Sequence, residues 1–180
     1  ALYLDNKDIN SISGIEHFTN LRILHLNDTQ INDISALAGL TQLEYLDISR
    51  TQIQDLTALT DLAKLKTLYL NNNQLEDITA LAGLKKLEAL YLNDTQVVDI
   101  RPLADLTGLQ SLKLRNTEVE DVGVVADLTQ LRYLSLGNTK VKDLTALSGL
   151  TQLTILELDN TLIRDTVALA DLTQLMELNM

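Results

Sequence analysis

Leucine returns every 22 residues along this chain, at Leu21, Leu43, Leu65, Leu87, Leu109, Leu131, Leu153 and Leu175. Taking each as position 1 of a unit, further apolar residues recur at positions 4, 6, 11, 14, 17 and 20. In the second full unit these are Leu46, Ile48, Ile53, Leu56, Leu59 and Leu62. Of the 41 leucines in 180 residues, 40 fall in these seven columns and only Leu162 does not, so the leucine content reflects a repeat. Seven full units span residues 21–174. A partial unit covers 1–20, with Leu2, Leu4, Ile9, Ile12, Ile15 and Phe18 in register, and a further unit begins over 175–180.

Two periods alternate inside each unit. Positions 3 to 7 alternate polar and apolar, as in Tyr45-Leu46-Asp47-Ile48-Ser49, which predicts a short strand. Positions 11, 14, 17 and 20 step by three, which suits a 3₁₀ or short helical return. One such unit cannot bury its own apolar face; stacked neighbours can. The predicted fold is an α/β solenoid forming a single repeat domain over 1–180. Its strands align as one curved parallel sheet on the concave side, with 3₁₀ or short helical turns on the convex side.

The unit matches the leucine-rich repeat pattern L-x-x-L-x-L-x-x-N-x-L. With its 22-residue length and its D-I-x-x-L-x-x-L segment, it resembles the internalin-type repeats of bacterial surface proteins. It also resembles the related repeats of the eukaryotic protein phosphatase-1 regulatory subunit. Position 9 departs from the family asparagine: it is Thr29, Thr51, Thr95, Thr117, Thr139 and Thr161, with Asn73 alone retained. Position 16, often proline in internalins, is mostly alanine, with Pro102 in one unit. The helical cap and immunoglobulin-like domain that flank internalin repeats have no counterpart in these residues. The resemblance implies a protein-recognition module of a larger bacterial protein, secreted or at the cell surface, with a cytoplasmic setting left open. The chain begins and ends within strands, so Leu4 and Met180 are expected at open faces that further chain or self-association covers.

Composition narrows the chemistry. There is no cysteine, which excludes disulfides and cysteine-ligated metal. The longest apolar stretches, such as Val122–Ala126, are far short of the roughly 20 residues a membrane helix needs, so no membrane insertion is expected. The net charge of −11 repels phosphate backbones and argues against nucleic acid. Seven of the 25 acidic residues form one column: Asp33, Asp55, Asp77, Asp99, Asp121, Asp143 and Asp165. Such a file could suggest a calcium ladder, but each aspartate precedes a helical turn and reads as a cap for its backbone N–H groups. The threonine column is expected to bridge backbone groups of adjacent units. Glu118 with Lys140, Glu120 with Lys142, and the Arg22, Glu44, Lys66, Glu88 file read as cross-unit charge pairs. The Asn27-Asp28-Thr29 and Asn93-Asp94-Thr95 glycosylation sequons follow from the repeat's own turn.

The solvent-facing strand positions are 2, 3, 5, 7 and 8, and all five tyrosines lie among them. Tyr3, Tyr69 and Tyr91 are at position 5, and Tyr45 and Tyr133 at position 3. Tyrosine supplies rigid contact area with a polar tip and is enriched at interface hot spots. The same face carries His25, Asp47 and a small basic cluster of Lys113, Arg115 and Arg132. His25 beside Asp47 has the look of a base and its orienter, but no nucleophile or water-excluding pocket accompanies it, so no catalytic residue is assigned. No metal or cofactor is expected. The reading is a protein partner held on the concave face by Tyr45, Tyr69, Tyr91, Tyr133, His25, Asp47, Lys113, Arg115 and Arg132. The alternatives are a structural spacer or scaffold, or a glycan-binding adhesion module using the tyrosine stripe.

Overall fold

The structure is a computed structural model that describes all of residues 1–180. Nine strands form one parallel sheet in chain order: β1 (Leu2–Tyr3), β2 (Ile23–His25), β3 (Tyr45–Asp47), β4 (Thr67–Tyr69), β5 (Ala89–Tyr91), β6 (Ser111–Lys113), β7 (Tyr133–Ser135), β8 (Ile155–Glu157) and β9 (Glu177–Asn179). Leu24 pairs with Leu46 and Leu46 with Leu68, so the register step equals the sequence period and every column becomes a straight file across the sheet. Strands this short persist because the ladder runs beyond them. Ile48 N–H donates to Tyr69 C=O at 3.1 Å and Arg50 N–H to Asn71 C=O at 2.8 Å.

The convex returns are 3₁₀ turns throughout, as at Ser35–Leu37, Thr57–Leu59 and Thr145–Leu147, and no α-helical turn forms. A step of three apolar residues matches three residues per turn, and an α-helix would rotate the file away from the core. All seven apolar columns converge on one cluster of 47 buried residues, in which Leu46, Leu68 and Leu90 have no exposed surface.

Each aspartate of position 13 accepts the backbone N–H two residues on, at 2.7–2.9 Å, in all seven units. This matches the capping expectation, with the aspartate one residue ahead of the position that opens the turn. Hydrogen bonds from Ser35, Thr57, Arg101 and Thr145 hold the Asp33, Asp55, Asp99 and Asp143 carboxyls below the usual carboxylate range, Asp99 at about 2.

The threonine column differs from expectation. Thr29, Thr95, Thr117 and Thr139 donate to the carbonyl three residues back in their own unit, at 2.6–2.7 Å. The single hydroxyl proton is spent inside the turn and does not bridge units. Asn73 does bridge them. Its amide donates to Leu70 C=O in its own unit and to Ile48 C=O in the preceding one, while its oxygen accepts from Thr51 Oγ1 and the Ile53 N–H. Two donors and a longer reach allow what one hydroxyl cannot.

Position 8 holds a further file. Asn6, Asp28, Arg50, Asn72, Asp94, Asn116, Asn138 and Asn160 all have φ between 51° and 58°. This left-handed conformation turns the chain out of each strand, and asparagine and aspartate tolerate it best among residues with a Cβ. The expected charge pairs form across units. Lys140 meets Glu118 at 2.6 Å, Lys142 meets Glu120 at 2.5 Å, and Glu44 is held between Arg22 at 2.6 Å and Lys66 at 3.4 Å.

Candidate recognition face

Because side chains alternate along a strand, burying position 4 and position 6 turns positions 3 and 5 outward. In the N-terminal units this outward surface is an aromatic ribbon running across the strands. Tyr3 stacks on His25 with ring centroids 4.7 Å apart, and His25 stacks on Tyr45 at 4.6 Å. Tyr45 meets Tyr69 at 5.5 Å with a 45° tilt, and Tyr69 lies on Tyr91 at 4.3 Å and 19°. Position 5 supplies Tyr3, His25, Tyr69 and Tyr91 to this line, and position 3 supplies Tyr45. Burial pushes the Tyr45 and Tyr69 hydroxyl pKa values above the ordinary tyrosine range. Each also has a neighbouring tyrosine and Asp47 pushing the same way.

The ribbon ends on a cation. Lys113 Nζ lies 4.4 Å from the Tyr133 ring centroid and 5.3 Å from that of Tyr91. Beyond it the face is polar and internally paired. Glu157 accepts from Tyr133 Oη at 2.7 Å and Ser135 Oγ at 2.6 Å. Burial opposes the Glu157 charge, but these hydrogen bonds, with Lys113 and Arg115 nearby, hold its carboxyl below the usual range. Arg115 forms a two-pronged pair with Asp159 at 2.7 and 2.6 Å.

Tyr45, Tyr69, Tyr91, His25, Lys113 and Tyr133 therefore come together in one line. The basic cluster does not assemble: Arg115 is tied to Asp159, Lys113 sits on tyrosine rings, and Arg132 is exposed at position 2 without a side-chain partner. Nor do His25 and Asp47 pair through their side chains. His25 Nδ1 lies 3.9 Å from Asp5, in the turn after β1 on its other side, and Asp47 accepts the Ser49 N–H at 3.0 Å. No group of three or more histidine, aspartate or glutamate side chains is arranged to hold a metal ion.

A groove of about 320 Å³ runs beside the ribbon, lined by Asp28, Asp47, Arg50, Tyr69, Asn71 and Asp94 among others. Its wall carries an amide ladder at position 7 that went unread in the sequence. Asn71 Oδ1 accepts the Asn93 N–H and Asn93 Oδ1 the Arg115 N–H, both at 3.0 Å. The signal was asparagine at one position in successive units. Both sequons lose availability here, since Thr29 and Thr95 are buried with their hydroxyls bonded to carbonyls.

A curved, single parallel sheet backed by 3₁₀ turns, with an aromatic file on its inner face, defines a leucine-rich solenoid. The chain belongs to the leucine-rich repeat family, of the internalin type: the family described as leucine-rich repeat region matches residues 2–128, and leucine-rich repeats in two copies match 129–179. It is similar to internalin C2 of Listeria monocytogenes, with 36% identity and a TM-score of 0.98 over 99% of this chain and 79% of that one. It is similar also to the internalin InlF of that organism, with 35% identity and a TM-score of 0.68 over 99% of this chain and 66% of that one. A leucine-rich repeat protein of Leptospira interrogans shares the fold at 22% identity and TM-score 0.77, over 97% of this chain and 53% of that one. No curated protein matches the chain.

Proposed function

We propose that residues 1–180 act as one recognition domain that binds a protein partner on the concave face, with Tyr45, Tyr69 and Tyr91 as its anchor. His25, Asp47, Lys113 and Tyr133 extend the contact surface along the ribbon, with Arg115 and Arg132 at its margin. The observation that carries this reading is the ribbon itself: five aromatic side chains meet in an unbroken line outside the core. Half-buried aromatics in a concave surface have the composition of interface hot spots. A glycan reading needs open ring faces, and Tyr69 and Tyr91 cover each other's. A spacer reading gives the file no role. The 36% identity to a Listeria internalin supports a secreted or cell-surface setting in a bacterium. No helix is long and apolar enough to cross a membrane.

The test places a photo-crosslinking residue at Thr67, on the concave face, or at Thr107, on the convex turns. Protein adducts formed from position 67, absent from 107, and lost when Tyr45, Tyr69 and Tyr91 are replaced by serine are expected. Adducts from 107 alone would end the reading.

A further inference from the structure

The two halves of the concave face differ in how their charges are met. On the C-terminal half, Arg115 is answered by Asp159, and Lys113 sits against Tyr91 and Tyr133, the second of which is bonded to Glu157. On the N-terminal half Glu44 is met by Arg22 and Lys66, but two carboxylates of the groove are not met. The groove beside Tyr69 is lined by Asp28, Asp47 and Asp94 against one cation, Arg50, which is already bonded to Asp28 at 3.3 Å. Asp47 and Asp94 have no cationic partner; the one accepts the Ser49 N–H and the other the Asn116 amide. Oδ1 of Asp5, at the start of the ribbon, is buried without any hydrogen-bond donor.

Lys113 shows what such a surface holds. Its ammonium rests between a position-5 tyrosine and a position-3 tyrosine, near a carboxylate that both charge and hydrogen bonds keep ionised. Tyr69 and Tyr45 are again a position-5 and a position-3 tyrosine. Their 45° tilt parts the ring faces that the 19° stack of Tyr69 on Tyr91 closes. Asp47 pairs with Tyr69 in the sheet register and lines the same groove. Two tyrosines and a carboxylate are thus present there without a lysine, on adjacent strands where the pair around Lys113 stands two strands apart.

We infer that the Tyr45, Tyr69 and Asp47 wedge is a receptor for a cationic side chain, lysine or arginine, from a basic segment of the protein partner. The segment lies along the acidic groove, and Lys113 closes the far end of the ribbon to a second cation. Aromatic faces attract a cation by their quadrupole, and a fixed carboxylate adds direct charge complementarity. The inference rests on the concave-face reading and names the chemistry of its partner.

The probe is a hexa-arginine peptide, with hexa-citrulline as its neutral isostere, titrated into chain labelled at the tyrosine rings for NMR. The arginine peptide should shift the Tyr45 and Tyr69 ring signals, saturably, and the citrulline peptide should not. Asp47→Asn preserves the acceptor for Ser49 and should weaken binding about tenfold, the scale of one charge-assisted contact. Asp61→Asn removes the same charge from the convex surface and should leave affinity within about twofold. Lys113→Gln vacates the second slot, so the peptide should then also shift the Tyr133 ring. Equal response to the two peptides, equal effects of the two aspartate variants, or a silent Tyr133 ring in Lys113→Gln overturns the inference. If the arginine peptide fails while Thr67 crosslinks still form, the cationic partner is wrong and the concave-face reading stands; if both fail, both fall.

Discussion

Arg115 and Asp159 pair across an intervening strand, joined by two hydrogen bonds of 2.7 and 2.6 Å between residues 44 apart in sequence. Gly137, in the turn after β7, lies beneath them. A Cβ there would lie 2.4 Å from Arg115 Nη1 and 2.6 Å from Asp159 Oδ1. The glycine is thus the condition for the ion pair, and the pair in turn buries the glycine.

Gly137→Ala should therefore displace the guanidinium and cost about 1–2 kcal/mol, the usual scale of overpacking. In an Arg115→Gln background the guanidinium is gone and Asp159, released from it, can turn aside, so the same change should cost markedly less. Urea denaturation of the four variants reads the coupling. The Arg115 hydrogen bonds hold the Asp159 carboxyl low. Its titration by NMR should therefore move up toward the ordinary aspartate range in Gly137→Ala.

Asn73 sets the second expectation. Thr95 is buried and spends its hydroxyl on Leu92 C=O at 2.7 Å. Thr95→Val should cost about 1–3 kcal/mol by orphaning that carbonyl, while Thr107→Val, exposed and without a side-chain bond, should be near neutral. Thr95→Asn should stabilise by roughly 0.5–1.5 kcal/mol through bonds to two units. Loss of stability in Thr95→Asn would show that the bridge depends on the Thr51 partner that Asn73 has.

Arg50 is the one residue of the left-handed file that is neither asparagine nor aspartate, at φ 51°. Arg50→Asn should raise stability by about 0.5–1 kcal/mol, because asparagine accepts this conformation more readily. The ion pair it gives up to Asp28 is largely exposed and worth little. Thermal melts at matched ionic strength test this.

How much of this was legible in the sequence depends on how far each interaction reaches. The columns, the strands and the aspartate caps lie within one 22-residue unit, and the period alone arranges them. The left-handed file was equally open to reading, since Asn6, Asn72, Asn116, Asn138 and Asn160 recur at one position. Side-chain choice between two neighbours was not. His25 stands between Asp5 and Asp47, and only packing decides that it leans toward Asp5. Arg115 to Asp159 skips a unit entirely, and no pattern within a repeat signals it. The threonine bridge failed on geometry except at Thr51, which meets the longer Asn73: the residue type was suitable, but its own reach was too short.

The capping aspartates predict a pH response. Asp33, Asp55, Asp99 and Asp143 titrate lower folded than unfolded, Asp99 at about 2, with Arg101 and its backbone N–H the largest causes. A depressed carboxyl pKa favours the folded state above the unfolded value, near 4, and that contribution is lost as pH falls through the folded value. Stability should thus decline from about pH 4 toward pH 2. Asp99→Asn should flatten that decline, measured as urea midpoint against pH.

Leu68 and Tyr69 are adjacent in β4 and point in opposite directions, which separates core from recognition surface in one strand. Leu68 is fully buried, and Leu68→Ala should cost about 2–5 kcal/mol by leaving a cavity. Tyr69 lies outside the core, and the composition of the face alone suggests that its removal costs nothing. Its stack on Tyr91 at 4.3 Å changes that expectation. Tyr69→Ala should lose roughly 0.5–1.5 kcal/mol, the scale of an aromatic pair. In Tyr91→Ala the pair is already gone, so the further effect of Tyr69→Ala should shrink, and a double-mutant cycle in denaturant reads the difference. Neither tyrosine variant should approach the Leu68→Ala loss. If Tyr69→Ala unfolds the solenoid as Leu68→Ala does, the ribbon is part of the structural core and its assignment to partner binding loses its basis. A coupling near zero would instead mean that the rings do not stack in solution and present open faces, the condition a glycan would need.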